Sequence, residues 1–365
     1  MTTRVLFDGW PALYEPNGPA ASHLLAVLAQ FPEGIEPVVA LPGSPPGWFP
    51  KVETLVHATA KDPRSRLHWE QRALPGMLTE TRAQLLHLMR PNLPLLASDR
   101  SVLSPTGFDL DQAFKSQGRR KSGFVSRLRE ALGTGGLSRV GAILWPSDLP
   151  RPKMQHPLVT LPPHVHPDFA FKPGRNGGSN AIGELQLPDT YILYHGPHER
   201  TDLQRLIAAW SWAAGPIGVY YPLVLLGLDQ AAGTQLSELV SAYELKETMI
   251  SLPEVSPQVI VQLYKGCSAL FHPAPISPWG GPVRQALACG KPVVALEDEL
   301  TGAMVGPGAY LIPVEDLRKV GAALITSIVE EEVAQSLSQS ARQQAASWQS
   351  HTFKAKLAAV YRNLA

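Results

Sequence analysis

The residues of this chain that could do chemistry are glycines placed just before helices rather than paired acids. Arg200 stands four residues after Gly196 in YHGPHERTDLQRLIAAW, where an apolar run, 191–195, gives way to a glycine turn and a helical segment. A glycine pair, Gly280-Gly281, lies just before Pro282 in ALFHPAPISPWGGPVRQALACGKPVVAL, again between an apolar run and a helix. Backbone amides at a helix N-terminus suit an anion with several oxygens. The helix dipole puts positive potential there, and glycine lets the backbone approach closely. A diphosphate is such an anion. A second local reading of Gly280-Gly281 stays open, a tight turn that needs glycine for its backbone angles. His164 and His166 have the spacing of paired metal ligands on a strand. No cysteine stands nearby, and two histidines are too few ligands to make a site, so no metal site is expected.

These residues need a scaffold of strands followed by helices, and the chain supplies one. Apolar runs at 4–7, 36–41, 54–57, 102–103 and 142–145 read as strands, with helical periodicity at Leu24, Leu25, Val27 and Leu28 and again over 69–89. The pattern restarts at 191–195, and Leu203, Leu206, Ile207 and Trp210 mark the core face of a helix for which Thr201 is the expected N-cap. Strands at 222–226 and 248–252 and a helix at 259–264 come next. The organising unit then runs as a strand ending at Phe271, a loop, a helix opened by Pro282 and closed by Gly290, and a strand at 292–296. Strands alternating with helices, with few hairpin signals, imply parallel sheets covered on both faces. The fold class is therefore α/β, with two Rossmann-like domains.

At 365 residues the chain is long for one compact core, and two domains are expected. The expected divisions are a first domain at 1–171, a linker rich in Gly and Asn at 172–187, a second domain at 188–346, and a terminal helical piece at 347–365. Thirty-two basic against 31 acidic residues give a net charge of +1, so no bulk field recruits nucleic acid. One local exception is KSQGRRKSGFVSRLR at 115–129, which reads either as a solvated helix with a flexible lead-in or as a surface for an anionic acceptor or lipid headgroup. The only two cysteines, Cys267 and Cys289, lie in apolar runs, as expected of buried thiols in a reducing, cytoplasmic compartment. No apolar run approaches the ~20 residues of a membrane span.

Taken together, these motifs resemble the retaining glycosyltransferases of the GT-B fold, in the glycogen-synthase-like and mannosyltransferase-like group (glycosyl transferases group 1). YHGPHERTDL is similar to that family's Gly-x-x-x-Arg-Lys-Asn-Leu stretch at Gly196, Arg200 and Leu203. SPWGGPVRQALACGKPVVA aligns without a gap with its Glu-Gly-Phe-Gly-Leu-Pro-x-x-Glu-Ala-Met-Ala-Cys-Gly-x-Pro-Val-Val-Ala stretch, and LPPHVHPDF resembles its hinge. The resemblance implies two facing Rossmann-like domains with the C-terminal helix crossing back to the first. It also implies a nucleotide-diphosphate sugar as substrate, held at Gly196, Arg200, Thr201, Ser277, Gly280, Gly281, Pro282 and Gln285. Asn17 and Gly18 fall on the acceptor-side loop, and neither a cofactor nor an obligatory metal is implied. The acceptor, whether glycan, lipid-linked or protein, is not specified.

Departures from the family pattern fall on its charged positions. Ser277 and Gln285 stand where the resemblance implies glutamates toward the donor sugar and the ribose, Thr201 where it implies a lysine, and SVLSPTGFD lacks a histidine after the acceptor-side strand. Each lost donor to a developing diphosphate charge costs about 3 kcal/mol in such sites. Two readings follow: an active glycosyltransferase with a variant site, or a catalytically impaired relative serving as a binding or partner subunit. A two-Rossmann epimerase would want acid–base residues facing its cleft, and the sequence offers no acidic constellation for one.

Overall fold

The computed structural model describes residues 2–97, 99–107, 131–132, 135–172, 185–313, 316–348 and 350–365. The basic segment 115–129 and most of the 172–187 linker therefore lie outside the described residues. The chain packs into two compact units, one made of residues 1–166, 277–281 and 349–365, the other of 167–276 and 282–348.

The first unit is built on a sheet of seven strands, β1 (Thr3–Asp8), β2 (Ile35–Leu41), β3 (Glu53–Val56), β4 (Leu85–Leu88), β5 (Ser101–Leu103), β6 (Ala142–Pro146) and β7 (Leu158–Leu161), in the order β3-β2-β1-β4-β5-β6-β7. Every pairing is parallel, with Leu6 opposite Val38 and Phe7 opposite Val39. The alternation of a strand sorts its side chains to two cores. Val5 and Phe7 join one cluster, with Leu24 and Val27 of a helix at Pro19–Ala29. Leu6 joins the other, with Leu74 and Leu78 of a helix at Leu74–Glu80. That helix is entered through a π-helical turn, Trp69–Ala73, which continues a helix at Pro63–His68.

The C-terminal helix, Ser350–Leu364, belongs to this first unit. Phe353, Leu357 and Tyr361 are buried in the Val5/Phe7 cluster. The Tyr361 hydroxyl lies 2.6 Å from Nδ1 of His87 on β4, and the His87 Nε2 lies 2.8 Å from Ser104 Oγ. The His164 ring stacks on Phe353 at 4.1 Å and bonds the Ala26 carbonyl at 2.9 Å. His164 is thus a core histidine. Burial lowers the pKa of His87 to about 3 and of His164 to about 4, so both imidazoles are neutral at pH 7.

The second unit carries six strands, β8 (Ile192–Tyr194), β9 (Leu223–Leu225), β10 (Met249–Ser251), β11 (Ala269–His272), β12 (Val293–Leu296) and β13 (Ala309–Ile312), in the order β10-β9-β8-β11-β12-β13, all parallel. Two parallel-sheet α/β domains are present, as the sequence pattern implies. Helices at Arg200–Ile217 and Leu317–Val329 cover one face, burying Leu203, Leu206, Ile207, Trp210, Val320 and Leu324 against Tyr194, Leu225 and Phe271. Cys267 and Cys289 are both buried and free. No helix among the described residues is long and apolar enough to cross a membrane.

Candidate functional site

In an open parallel sheet, ligands bind beyond the carboxyl ends of the strands where the strand order reverses. In the second sheet that point lies between β8 and β11, whose carboxyl ends lead into the Gly196 and Pro273 loops. The loop after β8 is held from beneath. Tyr194 is fully buried and its hydroxyl donates to the Pro197 carbonyl. Burial drives the pKa of that hydroxyl well up, so it remains a donor. A Cβ at residue 196 would meet the Tyr194 ring at 2.8 Å, which requires glycine there.

The helix that follows starts at Arg200, earlier than expected, and its N-cap is Glu199, not Thr201. Glu199 makes no side-chain capping bond. Elsewhere in this unit the helices at Gln230–Ala242, Pro257–Gly266, Glu299–Val305 and Leu317–Val329 are capped by Asp229, Ser256, Asp298 and Asp316, each accepting from a backbone N–H of its own first turn, whereas Glu330 leaves the helix Glu331–Ala346 without a side-chain cap. The first-turn amides beside the switch point thus lack a capping side chain, and Arg200 and Thr201, both exposed, stand over them. An arginine at the positive end of a helix is disfavoured by the dipole, and Glu199 at the N-cap and Asp202 in the first turn offset it in part.

Three histidines that the sequence reading did not single out surround the same strand ends. His195, at the end of β8, shares a 2.8 Å hydrogen bond with Tyr264. His272 closes β11 and bonds the Pro275 carbonyl at 3.1 Å, and burial lowers its pKa to about 4. His198, edge-on to Tyr194 at 6.0 Å and bonded to the backbone of Leu226, is likewise lowered to about 4 by burial. The signal for them was present, since a histidine immediately follows or ends both strands that flank the reversal. Among the described residues no group of three or more His, Cys, Asp or Glu could hold a metal ion.

Beyond β11 the expected residues divide between the two units. Pro282 and Gln285 lie on the helix Pro282–Ala288 of the second unit and are buried, Gln285 at 1% exposure. Ser277, Gly280 and Gly281 pack instead within the first unit, beside Asn17 and Gly18. Trp279 is the reason. Its ring is fully buried in the Val5/Phe7 cluster, stacks on His23 at 4.9 Å, and donates from Nε1 to the Leu144 carbonyl at 3.0 Å. Ser277 Oγ accepts from the Gly107 N–H at 3.1 Å and donates to the Trp279 carbonyl at 2.7 Å, which closes the loop. Gly280 has φ +64°, and a Cβ there would lie 2.0 Å from the Pro19 carbonyl oxygen. Gly280 is therefore required by this turn. Gly18 is the N-cap of the helix that Pro19 opens, and Asn17 is buried beside it.

Comparison with known families bears on the half of the chain that holds the first of these loops. A model of the glycosyl transferases group 1 family matches residues 190–344. No curated protein sequence matches the chain. Among solved structures, sucrose-phosphate synthase from Thermosynechococcus elongatus is 16% identical with a TM-score of 0.71, covering 99% of both chains. HepE from Anabaena, solved in complex with UDP and glucose, is 14% identical with a TM-score of 0.70 and the same coverage. WaaG, a glycosyltransferase involved in lipopolysaccharide biosynthesis, is 14% identical with a TM-score of 0.70, covering 98% of this chain and 99% of its own. At such identities the likeness is one of fold, and it extends over both units. Within the matched residues Gly196 lies in the loop after β8, and Arg200 and Thr201 open the helix that follows it at the strand reversal.

Proposed function

We propose that the protein is a glycosyltransferase that moves a sugar from a nucleotide-diphosphate donor to an acceptor, with retention of configuration and without an obligatory metal. The observation that carries the donor assignment is the start of the Arg200–Ile217 helix. Uncapped amides, a glycine turn and an exposed guanidinium meet there at the strand reversal within the residues that match the group 1 family. HepE is solved with UDP and glucose, which supports a UDP-sugar as the first donor to test. The two buried thiols fit a cytoplasmic enzyme.

In this reading Arg200 and the amides after Gly196 bind the diphosphate and take up charge as the glycosidic bond breaks. Thr201 contributes a hydroxyl in place of a cation. Gln285, of the same unit as Arg200, is neutral and binds a hydroxyl more weakly than a carboxylate does, whereas the Ser277 hydroxyl is spent on closing its own loop in the first unit. No observation favours the non-catalytic alternative. Calorimetric titration with UDP, GDP and ADP tests the assignment. One of the three is expected to bind, and Arg200→Ala should weaken it about ten- to a hundredfold, the worth of a charge-assisted pair at about 1.5–3 kcal/mol. No binding of any of them at millimolar concentration removes the donor site from this loop.

A further inference from the structure

Two neighbouring helices of the second unit lack what a surface helix ordinarily carries. Between Arg205 and Asp229, and again between Lys319 and Glu330, the chain has no charged residue. Those stretches build most of the helices Arg200–Ile217 and Leu317–Val329, which bury one face each against the sheet and would be expected to turn charges outward on the other. The outer side is apolar instead. Trp212 is 52% exposed, Val329 56%, and Val219 and Tyr220, in the turn after the first helix, 72% and 74%. We propose that this face docks a second copy of the chain, as a two-fold symmetric dimer.

The exposed side chains form one patch. On the first helix and the turn after it, Ala208, Trp212, Gly215 and Val219 fall at i, i+4, i+7 and i+11, and on the second Arg318, Ala322, Ile325 and Val329 do the same, all exposed or part-exposed. Both helices follow strands of one parallel sheet and cover the same face, so they run in the same direction. They touch at Gly321, where a Cβ would meet the Trp212 Cβ at 2.5 Å. Two turns further along each, about 12 Å, come Tyr220 and Val329, which therefore lie at one level. The two stripes together cover roughly 20 Å by 20 Å, or ~400 Å², the size at which an exposed apolar patch marks an interaction site.

The charges at its ends decide the occupant. Arg318 and Lys319 mark the start of the Leu317–Val329 helix, and Glu330, Glu331 and Glu332, all exposed, mark its finish about 18 Å away. The Arg318 guanidinium lies 5.6 Å from the Trp212 ring centre, and Lys319 pairs with the exposed Asp316 side chain at 3.1 Å, a contact weak enough to share its cation. A two-fold axis through Ile325, perpendicular to the helix, sets two copies antiparallel. The cationic end of each then meets the acidic end of the other, twice, with the apolar stripes between them. The patch is thus complementary to itself. An anionic bilayer would instead meet the three carboxylates beside the apolar side chains and be repelled. With ~800 Å² buried over both copies, below the roughly 1,200–2,000 Å² of stable complexes, the dimer should be reversible, dissociating at about 10–100 µM.

Sedimentation velocity on the full chain tests this over a loading range of about 1–300 µM. Monomer is expected to give way to dimer as concentration rises. Ala322→Glu, at an exposed site one turn from the axis, sets like charges near each other and should raise the dissociation constant about tenfold or more. Charge reversal separates this geometry from any other self-association. Arg318→Glu/Lys319→Glu makes both ends acidic, and Glu330→Lys/Glu332→Lys makes both cationic. Each double variant alone should dimerise about tenfold more weakly than the parent, and their equimolar mixture should return to within about threefold of it. Circular dichroism checks that each is folded, and a misfolded variant could not be rescued by mixing. Monomer at every concentration, a dimer that Ala322→Glu leaves intact, or reversed variants that do not recover on mixing would each overturn the proposal. So would pelleting with phosphatidylcholine–phosphatidylglycerol vesicles that Trp212→Ser abolishes, which would assign the face to a lipid surface. Arg200 lies twelve residues before Trp212 on the same helix, about 18 Å along it, so nucleotide titration should be unmoved by Ala322→Glu and the donor reading stands or falls separately.

Discussion

The two strand reversals are built from opposite materials. That of the first sheet is filled with large side chains whose charges are matched in place, Asp8, Trp10, Glu15, Arg66 and Arg90. That of the second has a glycine where a Cβ would strike Tyr194, a helix start whose N-cap makes no side-chain bond, an exposed arginine and neutral histidines below. Charges matched in place attract no further charge. Open amides attract charge and read little shape. Within one architecture the two reversals thus differ in chemistry, a difference that fold alone would not show.

The largest effect expected from breaking this scheme is on the loop that carries family-like residues into the first unit. Trp279→Ala should destabilise the protein by about 3–5 kcal/mol, as for a fully buried aromatic, because it opens a cavity among Phe353, Leu144 and His23 and deletes the bond to the Leu144 carbonyl. Urea unfolding followed by far-UV dichroism measures it. Trp279→Phe, which keeps most of the volume, should cost much less. Equal losses from the two substitutions would mean that the indole hydrogen bond, not packing, holds the loop.

Next in size is the response to acid. His87, His164, His198 and His272 are all depressed by burial, the first to about 3 and the others to about 4. Below the ordinary value near 6.5 the unfolded chain binds protons that the folded one refuses, so stability must fall as pH drops from about 6.5 toward 4, with at most about 2 kcal/mol lost per histidine by pH 5. Two of these clamp the C-terminal helix of the first unit and two line the reversal of the second. His164→Asn should therefore flatten part of the pH dependence between 7.5 and 5 in urea melts. An unchanged slope would show that the imidazole at 164 takes up its proton without unfolding.

How much of this was legible follows the range of the interactions involved. Strands such as 36–41 and 292–296 announce themselves because a buried parallel strand is a short apolar run, and the helix face at Leu203, Leu206, Ile207 and Trp210 because its period is local. The helix Gln230–Ala242 is missing from the sequence reading because only Ala232 and Leu236 of its thirteen residues are buried, too few to make a stripe. Thr201 looks like the better N-cap by residue preference, but the helix starts at Arg200, with the Glu199 carbonyl accepting from the Asp202 and Leu203 N–H groups. The place of Ser277, Gly280 and Gly281 was hidden for a different reason. It is decided by the burial of Trp279 against residues 135 and more positions away in sequence, such as Leu144. Ser277 stands where the resemblance implies a glutamate, and in this chain its hydroxyl closes the loop instead.

The smallest predicted change is the sharpest test of the contrast between the two edges. Glu199 leaves its helix uncapped, while Asp229, Ser256, Asp298 and Asp316 cap theirs. Glu199→Ser supplies a hydroxyl of the right length to accept from a first-turn N–H, and should raise stability by about 0.5–1 kcal/mol. The same bond occupies an amide that the diphosphate would use, so nucleotide affinity should fall by a few-fold as stability rises. Stability measured in urea and affinity measured by calorimetry must then move in opposite directions. If both rise, or if affinity is unmoved, the open amides beside Arg200 are an unfilled cap and not an anion site. Thr201→Lys, at an exposed position that needs no repacking, serves as the companion. An added cation there should strengthen nucleotide binding by roughly the worth of one exposed charge pair, about 0.2–1 kcal/mol, without changing the urea midpoint.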